Sequence, residues 1–186
     1  QQTLLFAMLA RAGIPARLFL PGQASDDADD DRASRDRWVV RQFGGWMARA
    51  PAGPVFAYVH LLGVHAPYRP PPPYDRVFGS GNLDPASANP PASTGNVMER
   101  GRAVPEAVRQ AMIDAYDGLV LFSDDNLRTL VGALREAGRL DDTVVIVTAD
   151  HGEAFWDHGI WGEGGSLYEA EVRVPLVLWA GPRVRE

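Results

Sequence analysis

Thr143-Val144-Val145-Ile146-Val147-Thr148-Ala149-Asp150-His151-Gly152-Glu153 is the stretch from which the fold of this chain can be read. Its first half is a run of β-branched residues, the strongest strand signal in the sequence, and Asp141-Asp142 ahead of it supplies a turn. Its second half turns polar at once. A carboxylate and an imidazole therefore stand side by side at the carboxyl end of a core strand, followed by a glycine that lets the backbone turn.

Upstream of this stretch, Pro105 opens a long helical pattern at the position where a missing N–H costs nothing, with Glu106 in the first turn. Val108, Met112, Tyr116, Leu119, Leu127, Leu130 and Leu134 form its apolar face and Gly138 stops it. Asp124 and Arg128 lie one turn apart on it, which suits an intrahelical ion pair. Further upstream, Val55 to Leu62 reads as a strand covered on both faces. A helix is expected from Asp36 to Ala48, with Val39, Val40, Phe43, Trp46 and Met47 as its face. Leu4, Leu5, Met8, Leu9 and Ala12 give a short helical face ending at Gly13, and Ala16 to Leu20 a short strand. Downstream, a Gly-rich loop from Gly152 to Gly165 leads to a last strand, Val174 to Trp179, whose start near Pro175 is expected to be exposed.

Helices alternating with buried strands predict an α/β domain with a mostly parallel central sheet flanked by helices. In that architecture ligands gather at the carboxyl ends of strands. Two loops leave from such ends: one carries Asp150 and His151, the other runs from Gly63 to about Ala103 and carries His65. The second is rich in Pro, Gly, Asn and Ser, and loops of this length are functional or mobile.

Composition narrows the chemistry. The net charge is −6, and all 18 cationic side chains are arginines. Without a basic stripe there is no footprint for nucleic acid, and without lysine there is no lysine nucleophile. Cysteine is absent, which removes disulfides, thiolate ligands and thiol nucleophiles and leaves the compartment open. No apolar run reaches the roughly 18 residues a membrane span needs. The opening residues lack a basic segment, so they read poorly as a signal peptide and better as a helix entered from upstream. Ser25 to Asp31 carries five aspartates without the spacing of an EF-hand loop, and is expected to be a solvated lead into the following helix.

Asp150 and His151 offer an oxygen and a nitrogen that suit zinc or manganese, with Glu153 placed to hold the imidazole tautomer. The residues alone equally allow a capping aspartate and a surface histidine. Two ligands do not complete a site in either case. His65, in Val64-His65-Ala66-Pro67-Tyr68, can hold an anion or protonate a leaving group, or simply face solvent. His60, on its strand, reads as a core or inter-element hydrogen-bonding residue rather than a ligand. His158 and Glu163, in the Gly-rich loop, can return to the site, although their spacing does not require it.

Taken together, Phe56-Ala57-Tyr58-Val59-His60-Leu61 with His65-Ala66-Pro67-Tyr68, Tyr116-Asp117 with Asp124-Asp125-Asn126-Leu127, the stretch quoted first, His158-Gly159, Ser166-Leu167-Tyr168-Glu169 and Val174-Pro175-Leu176 resemble the central and later part of a sulfatase catalytic domain. This is the sulfatase branch of the alkaline phosphatase superfamily. The resemblance implies that residues 1–186 are a partial catalytic domain of the sulfatase fold, with the long loop at 63–103. It implies a metal-dependent hydrolase of sulfate esters, or in related branches a phosphoester hydrolase or phosphoglycol transferase, acting on an anionic sulfate or phosphate ester.

Asp150 and His151 would then be two ligands of one divalent metal, calcium in typical sulfatases and zinc or manganese in relatives. His65 would be the catalytic residue that serves the substrate anion or leaving group, with Glu163 and His158 at the substrate. No serine here begins the Cys/Ser-x-Pro/Ala-x-Arg motif that carries the family's nucleophile, so the resemblance places the nucleophile and further acidic ligands in an amino-terminal segment absent from this sequence. One departure stands out. Relatives commonly read Gly-His-Gly where this chain has Gly162-Glu163-Gly164, which puts a carboxylate where an anion is expected and leaves a non-catalytic binding module as a further reading.

Overall fold

The computed structural model describes residues 4–10, 32–79, 104–164 and 166–184. Its elements run β1 (Leu4–Ala10), α1 (Arg32–Met47), β2 (Phe56–Leu61), α2 (Glu106–Glu136), β3 (Thr143–Ala149), β4 (Ala154–Phe155), β5 (Trp161–Gly162), α3 (Glu169–Val172) and β6 (Leu176–Ala180). The four longer strands make one sheet in the order β2-β1-β3-β6, and β4 and β5 pair as a small hairpin.

The expectation of a mostly parallel sheet is overturned. β1 pairs with β2 antiparallel, Leu4 opposite Leu61 and Leu9 opposite Phe56. β3 pairs with β6 antiparallel, Val144 opposite Ala180 and Thr148 opposite Leu176. The physical reason lies in the connection. Parallel neighbours need a crossover that carries the chain back to the same end of the sheet, as a rule through a full helix. Between β3 and β6 the chain has only a small hairpin and the four-residue α3, so β6 returns the opposite way. Antiparallel sheets tolerate one wet face, and β2 shows it: Val59 and Leu61 are buried while Phe56 and Tyr58 are 41% and 53% exposed. The reading of β2 as covered on both faces is corrected accordingly, and His60 is exposed on that strand.

The opening segment is also corrected. Leu4–Ala10 is a strand, not the first part of a helix. Every residue in it is apolar, so helical and strand periods both fit, and the ladder with β2 decides. The expected strand at 16–20 and the aspartate run at 25–31 lie outside the described residues, as does the part of the expected loop beyond residue 79.

The chain divides into two compact units. One comprises residues 4–61, 126–148 and 176–186 and contains the sheet. Its core joins Val40, Phe43 and Met47 of α1 to Val59 and Leu61 of β2, Leu130 and Leu134 of α2, and Val145 and Val147 of β3. α2 ends in this unit as its sequence signals: Gly138 takes φ +66, its N–H donates to Arg135 O, and the Arg139 N–H donates to Leu134 O. That pair of bonds is a Schellman cap, satisfying two carbonyls the helix leaves open.

The other unit comprises residues 1–3, 62–125 and 149–175. Its core is Tyr68, Met112, Ala115 and Leu119, with Tyr116, Phe155, Trp156 and Trp161 packed around them. Tyr68 meets Tyr116 edge-on at 5.6 Å and Trp161 at 6.5 Å between ring centroids, and Tyr116 meets Phe155 at 4.9 Å. These edge-to-face contacts add to the area the rings bury. Among the described residues no helix is long and apolar enough to cross a membrane.

Candidate active site

Every site residue named from the sequence lies in the second unit, in loops that close around the Tyr68 core. Asp150 and His151 come first, directly after β3. The His151 Nδ1 is 2.8 Å from the Gly152 carbonyl oxygen. A carbonyl only accepts, so Nδ1 carries a proton, and the neutral ring then keeps its lone pair on Nε2. That Nε2 is buried and has no hydrogen-bond partner. It lies 3.9 Å from Asp150 Oδ1, too long for a hydrogen bond but a gap that two metal–ligand bonds of about 2.0–2.5 Å can span. An orphaned imidazole lone pair beside a carboxylate oxygen is the donor set a divalent cation fits. The pair stands without a third ligand: among the described residues no group of three or more His, Asp or Glu side chains is arranged to hold an ion.

The backbone beneath this pair is clamped. The Gly152 N–H donates to Glu171 O at 2.7 Å, and a β-carbon at Gly152 would run into the Ala170 carbonyl oxygen. α3 is held in turn by its own buried carboxylate. Glu171, 4% exposed, accepts from the Ser166 hydroxyl at 2.5 Å and from the Ser166 N–H at 3.3 Å. Ser166 and Glu171 were not singled out from the sequence as site residues. The usable signal was the segment Ser166-Leu167-Tyr168-Glu169-Ala170-Glu171, where a serine stands five residues ahead of a second glutamate.

His65 leaves the end of β2 through a tight turn in which its N–H donates to Leu62 O. Its Nδ1 lies 2.5 Å from the Ala66 carbonyl oxygen, and its Nε2 lies 3.1 Å from Glu163 Oε1. Both ring nitrogens thus face acceptors, an arrangement satisfied in full by the imidazolium form. The hydrogen bond from His65 holds the Glu163 carboxyl well below the usual carboxylate range, against the opposing effect of its burial. Glu163 sits just beyond β5, where Gly162 takes φ +91.

Glu153 behaves oppositely. Burial pushes its carboxyl up to about 7, with the negative charge of Glu163 adding to the effect. Neither of its oxygens makes a hydrogen bond of normal geometry, although the Tyr68 hydroxyl is near enough to favour its charged form. Tyr68 itself is fully buried, and burial followed by the Glu153 charge pushes its phenol far up. Glu153 also feels the charge of His65. The structure therefore brings His65, Glu163 and Glu153 within electrostatic reach of one another, while the His151 tautomer is set by Gly152 O. His158 stacks on Tyr168, with ring centroids 4.0 Å apart.

The loop between β4 and β5 holds unusual backbone. Trp156 and His158 take φ +66 and +54, conformations that cost a non-glycine residue about 1 kcal/mol or more each. Packing holds them there. Trp156 carries the Arg109 guanidinium 5.1 Å from its ring centroid and meets Trp161 at 6.4 Å, and Asp157 Oδ2 accepts from the Phe155 N–H.

Comparison with known proteins matches residues 17–186 to the family described as Sulfatase. The chain is 26% identical to an arylsulfatase of Clostridium perfringens over 76% of its length and 31% of that protein's. It is 40% identical to the multifunctional alkaline phosphatase superfamily protein PehA of Trinickia caryophylli, over 42% of its length and 15% of that protein's. It is 24% identical to the iduronate 2-sulfatase of Mus musculus, over 73% of its length and 28% of that protein's. The chain thus spans less than a third of the length of these relatives.

Proposed function

The chain belongs to the sulfatase family, and on that footing we propose that it supplies part of the active site of a metal-dependent hydrolase of sulfate esters. The observation that carries the reading is the buried His151 Nε2, bare of any hydrogen bond and 3.9 Å from Asp150 Oδ1. Asp150 and His151 would hold one divalent cation, calcium, manganese or zinc, together with ligands outside the described residues. The ion, when bound, supplies positive charge to the transferring group and to the attacking oxygen. Gly152 O holds the His151 ring through Nδ1, which would leave Nε2 to hold the ion. His65 keeps its Nδ1 on the Ala66 carbonyl and presents protonated Nε2, the nitrogen that can hand a proton to a departing alcohol. The nucleophile lies outside the described residues.

The test is turnover by the full-length protein of nitrophenyl sulfate and of a bis-nitrophenyl phosphodiester, after chelation and after calcium, manganese or zinc is restored. The reading requires sulfate-ester turnover that chelation abolishes and that Asp150→Asn and His151→Ala each reduce by at least a hundredfold, a rough size for losing a metal ligand. Metal-independent turnover would overturn it. Turnover of the phosphodiester alone would support the phosphoester branch. A second reading, a sulfatase-like module that binds without catalysis, is favoured by one observation: the carboxylate of Glu163 already occupies the His65 Nε2. Metal-loaded full-length protein with no turnover of either ester would support it.

A further inference from the structure

The anion contact assigned to His65 is bordered by a fixed negative charge of the chain's own. Glu163 Oε1 is 3.1 Å from His65 Nε2, and the two side chains keep only 17% and 19% of their exposure. A carboxylate so enclosed is screened far less than a surface charge. Its charge reaches the buried Glu153 as well.

An anion that reaches the His65 Nε2 therefore comes within a few ångströms of Glu163. Coulomb repulsion scales with the product of the charges, so a doubly charged group is opposed twice as strongly as a singly charged one. The attraction of His65 scales the same way, but the carboxylate cancels much of it. What remains grows only in proportion to the anion's charge, whereas the cost of stripping water from an anion grows as the square of its charge, so the weakened attraction fails first for the dianion.

We infer that Glu163 is a specificity-determining residue that filters substrates by charge. It admits esters whose transferring group carries one negative charge, sulfate monoesters and phosphodiesters, and rejects those carrying two, phosphate monoesters at neutral pH and above. The inference rests on the reading of His65 as the contact for the anionic group, and it adds the class of ester that contact accepts.

Methyl sulfate and inorganic sulfate separate charge from shape, since both present a tetrahedral sulfur and differ by one negative charge across the neutral range. The chain is titrated with each at constant ionic strength, with calcium or manganese present, while the ring resonances of His65 are followed by NMR. In the wild-type chain methyl sulfate binds more tightly than inorganic sulfate despite its smaller charge. Glu163→Gln tightens inorganic sulfate more than methyl sulfate and shifts the ratio of the two dissociation constants by about tenfold, as removal of a nearby like charge should. Glu163→Asp, which keeps the charge, retains the wild-type ratio.

An unchanged ratio in Glu163→Gln overturns the filter and leaves His65 as an anion contact. A wild-type preference for inorganic sulfate overturns it without any variant. Failure of both anions to move the His65 resonances in every protein removes the anion contact itself, and the filter with it.

Discussion

Gly152 lies directly under the carbonyl oxygen of Ala170, so close that a β-carbon there would overlap it. The same glycine donates its N–H to Glu171 O at 2.7 Å. The residue after the candidate metal pair is thus the point where the β3 exit loop is pinned to α3. Gly152→Ala should force the two segments apart and destabilise the chain by about 1–3 kcal/mol, the usual range for overpacking. Denaturant unfolding measures the loss. A variant of wild-type stability would show that the clamp yields freely.

His151 should gain its partner from a cation. A ligand that binds only the folded state raises stability by about 2.7 kcal/mol at a hundred times its dissociation constant. Calcium, manganese or zinc should therefore raise the melting temperature of the chain, and His151→Ala should remove most of that gain. His158→Ala, at a ring that stacks on Tyr168, should leave it intact. An equal metal response in the His151 and His158 variants would remove His151 from the site.

How far these features are legible in the sequence depends on whether their causes are local. The stop of α2 at Gly138 was readable because a residue with φ +66 at a helix end calls for glycine. The strand before Asp150 was readable from its β-branched run. β1 was not, because an all-apolar segment fits either period and only pairing with the distant β2 decides it. The sheet direction was not, because it depends on how the chain travels between β3 and β6. At the site, the adjacency of Asp150 and His151 is written in the chain. The pairing of His65 with Glu163 is a tertiary contact between two loops, and no spacing rule reaches it.

His65 sets the ionisation of Glu163, since the hydrogen bond from its ring is the largest cause of the lowered carboxyl. His65→Ala should therefore move the Glu163 titration up toward the ordinary carboxylate range, as followed by carbon-detected NMR of the side-chain carboxyl. The sign for stability follows from the lowered folded-state value. The pair's contribution is present above the unfolded-state value and is lost as pH falls through the folded one. Wild-type and His65→Ala stabilities should thus converge in strong acid and diverge toward neutrality. Parallel curves across that range would contradict the pairing.

Glu153 should act in the other direction. Its carboxyl is raised from 4.5 to about 7, chiefly by burial, so between those values the folded chain holds a proton that the unfolded chain releases. Stability therefore falls as pH rises through this window, by roughly 3 kcal/mol at most for this one group. Glu153→Gln keeps the shape and removes the charge. With a chelator present, the variant should match the wild-type chain near pH 4 and exceed it increasingly toward pH 8, the surplus levelling off once Glu153 is fully ionised. Denaturant unfolding at a series of pH values measures the difference. A surplus that is constant with pH would mean that the buried carboxyl does not titrate in this window, and a deficit at high pH would mean that its charge is held by a partner.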